Sequence, residues 1–339
     1  MKEQYENSLR QRLDGVPDGC FKIKEHREPG EEIKNTCGVS QLKSLETKTE
    51  GRGIIEIFTV FPGAEVSSHL YMADKVGFHH SPEDHILEIN HCRRGRIGWN
   101  MKGDVSVYLG EGDICIHSTE CCADSVMTLP LGYYEGITVS IDLFTVFEGL
   151  PKTARGGMAG ERDLYERFCA SARPMAVPGG ERTKEIFSAL YHAPQEQRLS
   201  YFRLKVQELL LYLSAFDPVK ERVMDQYVSR QTELVKEIHD FITEHMDERF
   251  TIEELSKKYL INTSSLKSVF KAVYGQPIAS YMKGCRIRKG MELLRDTDET
   301  IAAIAARVGY ETQGKFTKAF KEELKILPSQ YRRQTKRTV

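Results

Sequence analysis

Residues 301–324 read IAAIAARVGYETQGKFTKAFKEEL, and residues 252–275 read IEELSKKYLINTSSLKSVFKAVYG. The two blocks are versions of one unit. Ile252, Leu255 and Tyr259 align with Ile301, Ile304 and Val308 at an offset of 49. Past the turn, Leu266 aligns with Phe316 and Phe270-Lys271 with Phe320-Lys321 at an offset of 50, so the second turn holds one extra residue. Each block reads as a short amphipathic helix, a turn and a second helix, which is the helix-turn-helix pattern. The punctuation agrees. Thr251 and Glu254 have the capping-box spacing, Gly275 and Gly309 stand where helices end, and Pro277 suits the first turn of a connecting helix over 278–294.

The second helix of each unit carries the residues a groove-reading helix needs. In 263–274, Leu266, Val269, Phe270 and Val273 form a core face, while Thr263, Ser264, Lys267, Ser268 and Lys271 lie around the rest. In 313–324, Phe316, Ala319, Phe320 and Leu324 face inward, and Gln313, Lys315, Thr317, Lys318 and Lys321 face outward. Lysines bind phosphates, and Gln or Ser near a helix N-terminus reaches base edges. A lone basic helix is usually a solvated face. Two in register, joined by a helix carrying Lys283, Arg286, Arg288 and Lys289, point to double-stranded DNA. A connecting helix of this length spans roughly 25 Å, which with its flanking turns sets the recognition helices about one DNA turn, near 34 Å, apart.

Charge follows the same division. The 339-residue chain has a net charge of −1. Residues 231–339 hold 20 Lys and Arg against 15 Asp and Glu, a net of +5; residues 1–230 hold 28 against 34, a net of −6. From Thr263 onward there are 16 basic and 7 acidic residues. The basic surplus therefore belongs to the helical C-terminal region.

These residues identify a resemblance. The region from Glu233 to Arg333 resembles the DNA-binding domain of the AraC/XylS transcriptional regulators, in the run Ile301 to Tyr310, in Phe316-x-x-x-Phe320-Lys321 and in Pro328-Ser329-Gln330-Tyr331-Arg332. Leu260 stands where the first turn of the family usually has Gly, Lys325 replaces a frequent Gly, and Leu327 a small polar residue. Gly290 weakens the connecting helix by about 1 kcal/mol relative to Ala. The resemblance implies a sequence-specific DNA-binding transcriptional regulator with a sensory N-terminal domain, often a cupin-like barrel.

The N-terminal sequence is consistent with such a domain. Runs at 54–61, 84–91, 105–109, 113–117 and 133–143 are rich in β-branched and aromatic residues and are punctuated by Gly, Pro and Asp. They predict an antiparallel barrel or sandwich over 51–150. Residues 1–50 are polar and read as a loosely structured arm. Helices are expected over 161–173, 183–191 and 200–216, within a coupling or dimerisation region at 160–230. In 200–216 a broad stripe of Phe202, Val206, Leu209, Leu210 and Leu213, widened by Leu204 and Leu211, suits either interdomain packing or a homodimer contact. The expected architecture is thus a multidomain α+β chain. It has an N-terminal cupin-like antiparallel β-barrel, a helical linker, and an all-α domain at 231–335 with two helix-turn-helix units.

Gly110-Glu111-Gly112-Asp113, followed by Ile114, Ile116 and His117, resembles the second cupin motif, and Glu88 with Gly95 resembles part of the first. The His-x-His that precedes that Glu in cupins is absent; His79, His80 and His85 are spaced differently. Imidazole, carboxylate and thiolate are normal metal ligands, and His79, His80, His85, Glu88, His91, Cys92 and His117 are dense. Strand alternation sets Glu88 opposite His85 and on one face with Cys92, so spacing yields no single ligand triad. No metal, cofactor or catalytic group is assigned. His80, His85, Glu88, Arg94, Arg96 and His117 are the candidate effector-binding residues. Residues 93–96 read as a solvated hairpin turn or an anion site.

Two alternatives stay open: a metal-dependent cupin enzyme, and a thiol-based redox or soft-metal sensor built on Cys115, Cys121 and Cys122. Eight cysteines without CxxC spacing point to reduced thiols rather than a disulfide framework. No run of 18 apolar residues and no apolar leader occurs, so a cytoplasmic chain without membrane association is expected. Its expected partners are double-stranded DNA, a small-molecule effector and a second copy of itself, with RNA polymerase a further candidate.

Overall fold

The computed structural model describes residues 2–26, 51–77, 83–122, 126–171, 173–218 and 223–336. It comprises two compact units, Met1–Ser229 and Arg230–Val339.

The first unit is built on twelve strands: β1 (Phe21–His26), β2 (Arg52–Phe61), β3 (Ala64–Met72), β4 (Lys75–Gly77), β5 (Ile86–Gly95), β6 (Ile97–Met101), β7 (Val105–Leu109), β8 (Ile114–Ser118), β9 (Val126–Thr128), β10 (Tyr134–Asp142), β11 (Met175–Val177) and β12 (Tyr227–Val228). Helices α1 (Lys2–Arg12), α2 (Val146–Gly149), α3 (Glu161–Phe168), α4 (Glu181–His192) and α5 (Arg198–Ala215) complete it. One sheet has the order β1-β2-β3-β10-β5-β8-β11 and the other β12-β7-β6-β9-β4. Pairing is antiparallel except between β1 and β2.

Period-two alternation sorts the large sheet into two faces. Leu87, Ile89, Ile114, Ile116, Ile137, Val139 and Ile141 point outward and form one core with Leu164, Phe187, Leu190, Phe202, Val206 and Leu210 of α3, α4 and α5. The intervening positions point inward. There Ile55, Ile57, Tyr71, Cys92, Cys115 and Tyr134 meet Trp99, Met101, Val107 and Leu109 of the smaller sheet. Residues 160–215 thus pack as part of the first unit. Of the wide α5 stripe, Phe202, Val206, Leu209, Leu210 and Leu213 are buried, while Leu204 is 65% and Leu211 39% exposed.

Two expectations are corrected. Residues 2–26, expected as a loose arm, form α1 and β1, because Leu9, Leu13 and Val16 recur at helical spacing and bury against Leu70 and Tyr133. The Tyr5 hydroxyl and Arg12 both reach Glu135 on β10. Burial alone would raise the Glu135 carboxyl, but the bond from Tyr5 and the guanidiniums of Arg12 and Arg93 outweigh it and hold the group below its ordinary value. Residues 93–96 are not a solvated hairpin. They are the corner where the chain passes from the larger sheet into the smaller one. Gly95 makes it, with φ +85° and no room for a Cβ, which would meet the Tyr133 carbonyl oxygen at 2.3 Å.

The second unit contains most of α6 (Ser229–Glu244), followed by α7 (Ile252–Lys258), α8 (Thr263–Tyr274), α9 (Ile278–Asp296), α10 (Ile301–Arg307), α11 (Gln313–Leu324) and α12 (Pro328–Lys336). No helix among the described residues is long and apolar enough to cross a membrane.

Candidate nucleic-acid interface and interior of the β-domain

Short helices such as α7 and α10 need capping and packing to persist. The Thr251 hydroxyl accepts from the Glu254 amide, and the Glu254 carboxylate accepts in return from the Thr251 amide at 2.8 Å. Asn262 caps α8, Thr300 caps α10 and Thr312 caps α11, each accepting from the amide three residues on. The two turns then differ in one respect. Gly309 takes φ +78°, but in the first unit the equivalent left-handed residue is Leu260 at φ +52°, with its side chain 93% exposed. Lys325 likewise ends α11 in the left-handed region, at φ +61°.

Each recognition helix seats one face in a small core. Leu266, Val269, Phe270 and Val273 of α8 are buried, with Phe270, Tyr274 and Tyr281 in mutual ring contact at 4.6 to 5.7 Å. Phe316, Ala319 and Phe320 of α11 pack with Ile287, Met291, Leu294, Ile304 and Val308. The signature residues at the C-terminus are structural. Tyr331 meets Phe320 edge-on at 5.7 Å, and Arg332 donates to the carbonyls of Leu294 and Glu299.

The opposite faces carry the residues proposed for DNA. Ser264, Lys267, Ser268 and Lys271 of α8, and Gln313, Lys315, Lys318 and Lys321 of α11, are exposed; Thr263 and Thr317 are half-buried. Among the described residues Lys267, Lys271, Lys318 and Lys321 make no ion pair, whereas Lys315 pairs with Glu311 and the Ser268 hydroxyl bonds back to Ser265. The basic residues of α9 are more occupied. Arg286 donates to the Met246 and Glu248 carbonyls, Lys283 pairs with Glu322 at 2.7 Å and Lys289 with Glu292 at 2.9 Å. On α9 the exposed Arg288 makes no ion pair among the described residues, so unpaired positive charge lies on α8 and α11 and at that one position of α9.

The interior of the first unit is polar along one row. Ser67 and His69 of β3, Glu88 and Asn90 of β5, His117 of β8, and Thr138 and Ser140 of β10 share the inward face; all but Glu88 are buried. His69 lies between Ser67 (2.8 Å) and the Tyr71 hydroxyl (2.5 Å), and burial pushes it down to about 3. Asn90 receives the Thr138 hydroxyl at 2.7 Å and meets His117 Nε2 at 3.0 Å.

Of the effector candidates, the fold brings Glu88 and His117 together, 3.9 Å apart, while His85, Arg94 and Arg96 have other partners. His85 pairs with Glu83 and stacks on Phe144. Arg94 is exposed and paired with Glu111, while Arg96 is half-buried beside Gly110 and Asp113. His80 lies outside the described residues, as does Cys37. Cys115, Cys121 and Cys122 are buried, and burial raises the pKa of all three thiols, so none has the enhanced acidity of a reactive cysteine. Sequence reasoning missed Ser67, His69, Asn90 and Thr138. The signal was present in 134–142, where Thr138 and Ser140 alternate with the apolar Ile137, Val139 and Ile141.

Two capped helix pairs joined by one helix, each with an exposed lysine-bearing second helix, define a DNA-binding protein of the double helix-turn-helix class. Comparisons agree. A helix-turn-helix domain family model matches residues 255–334. The chain is 32% identical over 110 residues to the transposon Tn10 TetD protein of Escherichia coli, covering 32% of this chain and 80% of that protein. It is 28% identical over 126 residues to the melibiose operon regulatory protein of Escherichia coli, covering 36% of this chain and 42% of that one. The solved C-terminal domain of AraT, a response regulator from Geobacillus stearothermophilus, is 32% identical over 31% of this chain and 88% of its own, with a TM-score of 0.30. The chain belongs to the AraC/XylS family of DNA-binding transcriptional regulators.

Proposed function

We propose that this regulator senses a small molecule inside its β-domain and responds by changing its affinity for DNA. The observation that carries the sensing half is the row of buried polar side chains from four strands, Ser67, His69, Asn90, His117, Thr138 and Ser140, with Glu88 beside them. A core needing only stability has little use for so many buried polar groups, each of which costs free energy unless it finds a partner. Here they pair with one another, and a polar ligand entering the row would exchange some of those hydrogen bonds for its own. Its binding must differ in strength between DNA-competent and incompetent arrangements to shift their populations.

On the DNA side, Lys267, Lys271, Lys318 and Lys321 are assigned to phosphates, and Thr263, Ser264, Ser268, Gln313, Lys315 and Thr317 to positions at or near base edges. The exposed Tyr201, Leu204 and Leu211 of α5 are assigned to a homodimer contact. RNA polymerase is the partner through which such a regulator acts, and the cytoplasm is where it meets DNA. The test begins by selecting DNA sites from a random pool with the full chain. Fluorescence anisotropy then measures binding of the wild type, Lys267→Ala and Lys318→Ala. Both variants are expected to weaken binding. Unchanged affinity in both overturns the groove assignment.

A further inference from the structure

The geometry points to a divalent-cation site of the zinc class inside the β-domain, formed by Glu88, His117 and Cys122. It deepens the sensing proposal by naming the chemistry of the ligand. One ligand atom from each of these residues lies within 4.8 Å of the others. Glu88 Oε2 is 3.9 Å from His117 Nε2, and Cys122 Sγ is 3.6 Å from His117 Nδ1.

The case rests first on the charge of Glu88. Its side chain is 13% exposed, and its one ionic neighbour among the described residues is His117. Its other oxygen accepts a long bond, 3.4 Å, from the Ser140 hydroxyl. His117 does not supply a positive charge, because its hydrogen bonds select the neutral ring. Nδ1 faces the Ser118 carbonyl at 2.9 Å and so carries the proton. Nε2 faces the Asn90 amide nitrogen at 3.0 Å and so presents a lone pair. The orientation of Asn90 is set in turn by the Thr138 hydroxyl, which donates to Oδ1. Among the described residues, then, no Lys or Arg pairs with this partly buried carboxylate.

The tautomer matters a second time. A metal-bound histidine generally ligates through one nitrogen and donates the other N–H to a carbonyl or carboxylate. His117 already makes that outer bond through Nδ1. Zinc bonds of about 2.0–2.2 Å to nitrogen and oxygen put tetrahedral ligand atoms roughly 3.4 Å apart, so the Glu88–His117 gap closes by about half an ångström around an ion. The Asn90 amide turns aside from Nε2, and the Cys122 thiol swings towards it. That thiol now contacts His117 Nδ1 at 3.6 Å and the Thr119 carbonyl at 3.8 Å.

Coordination also balances charge. The ion displaces the Cys122 proton to solvent, and the carboxylate and thiolate together neutralise a divalent cation. One nitrogen, one oxygen and one sulfur favour Zn²⁺, Co²⁺ or Cd²⁺ over Mg²⁺ or Ca²⁺, which prefer oxygen alone.

The test uses the full chain, stripped with a chelator and titrated with Co²⁺ and then Zn²⁺. One equivalent of Co²⁺ is expected to produce a sulfur-to-cobalt charge-transfer band in the near ultraviolet, which Zn²⁺ removes. Cys122→Ser should abolish the band, and Glu88→Gln should weaken Zn²⁺ binding at least about tenfold. If Cys122→Ser fails to fold, Glu88→Gln still decides the matter. Absence of the band, or Zn²⁺ affinity unchanged in Glu88→Gln, overturns the site. DNA affinity separates this proposal from the sensing one. Cys122-dependent metal binding without any change in DNA affinity keeps the site and removes its sensory role. A shift in DNA affinity with an organic compound, and none with metal, keeps sensing and removes the site.

Discussion

Gly290 of α9 lies directly against the ring of Phe316: a Cβ at position 290 would stand 2.9 Å from both Cε2 and Cζ. A residue that weakens the connecting helix is therefore what lets the central aromatic of the second helix-turn-helix unit approach it. Phe316 is fully buried and cannot easily move aside.

Gly290→Ala sets two effects against each other. Helix propensity favours alanine by about 1 kcal/mol, while forcing an extra methyl into a close-packed core costs about 1–3 kcal/mol. The clash is expected to win, lowering the denaturant midpoint of the second unit. A raised midpoint would show that Phe316 yields.

Leu260→Gly should act in the opposite direction. A non-glycine residue in the left-handed region costs about 1–2 kcal/mol, and the Leu260 side chain buries almost nothing in return. Glycine's greater freedom in the unfolded chain offsets part of the gain. A net stabilisation of up to about 1 kcal/mol is expected in chemical denaturation. A destabilisation would mean that the leucine makes a contact in solution.

Salt dependence distinguishes the lysines. Lys267→Ala and Lys318→Ala should each reduce the slope of log affinity against log salt by about 1. Lys315→Ala should reduce it less, because Glu311 already neutralises that ammonium in the free protein. Equal slopes for Lys315→Ala and Lys318→Ala would refute the distinction.

The first unit should lose stability in acid. Burial pushes His69 down to about 3, and burial followed by the charge of Arg93 pushes His91 down to about 4, from 6.5. Below pH 6.5 the unfolded chain takes up protons that the folded chain refuses. The stability is complete above that value and falls as the pH drops towards 4, by at most about 1.4 kcal/mol per pH unit for each histidine. Melting temperatures of residues 1–229 between pH 7.5 and 4 measure this. In His91→Phe, where the ring still stacks on Phe187, the pH dependence should be shallower; an unchanged profile would assign it elsewhere.

Residues 1–229 should be a dimer without DNA affinity. Leu204→Asp combined with Leu211→Asp should make it a monomer by light scattering without lowering its melting temperature, since both side chains are exposed. A wild-type monomer would exclude α5 as the contact.

The helical half was legible in detail because its signals are local. Caps at Thr251, Thr300 and Thr312, the C-terminal glycines and the 3.6-residue apolar period all act within a few residues, so the boundaries of α8 and α11 coincide with those read from the sequence. Most of the longer strands were legible for the same reason. β3 was not, since Ser67, Ser68 and His69 interrupt its apolar pattern, and short β6 was obscured by Gly98.

By itself, then, the sequence determined the two DNA-reading units and the existence of a β-domain. Which side chains meet inside that domain was decided by tertiary structure. Asn90 meets Thr138, 48 residues on, through the pairing of β5 with β10, and Glu88 meets His117 through that of β5 with β8. Register between strands is set by burial of a whole face, because a slip of one residue would turn every inward group outward. That constraint acts on the folded sheet, so no short stretch of sequence displays it.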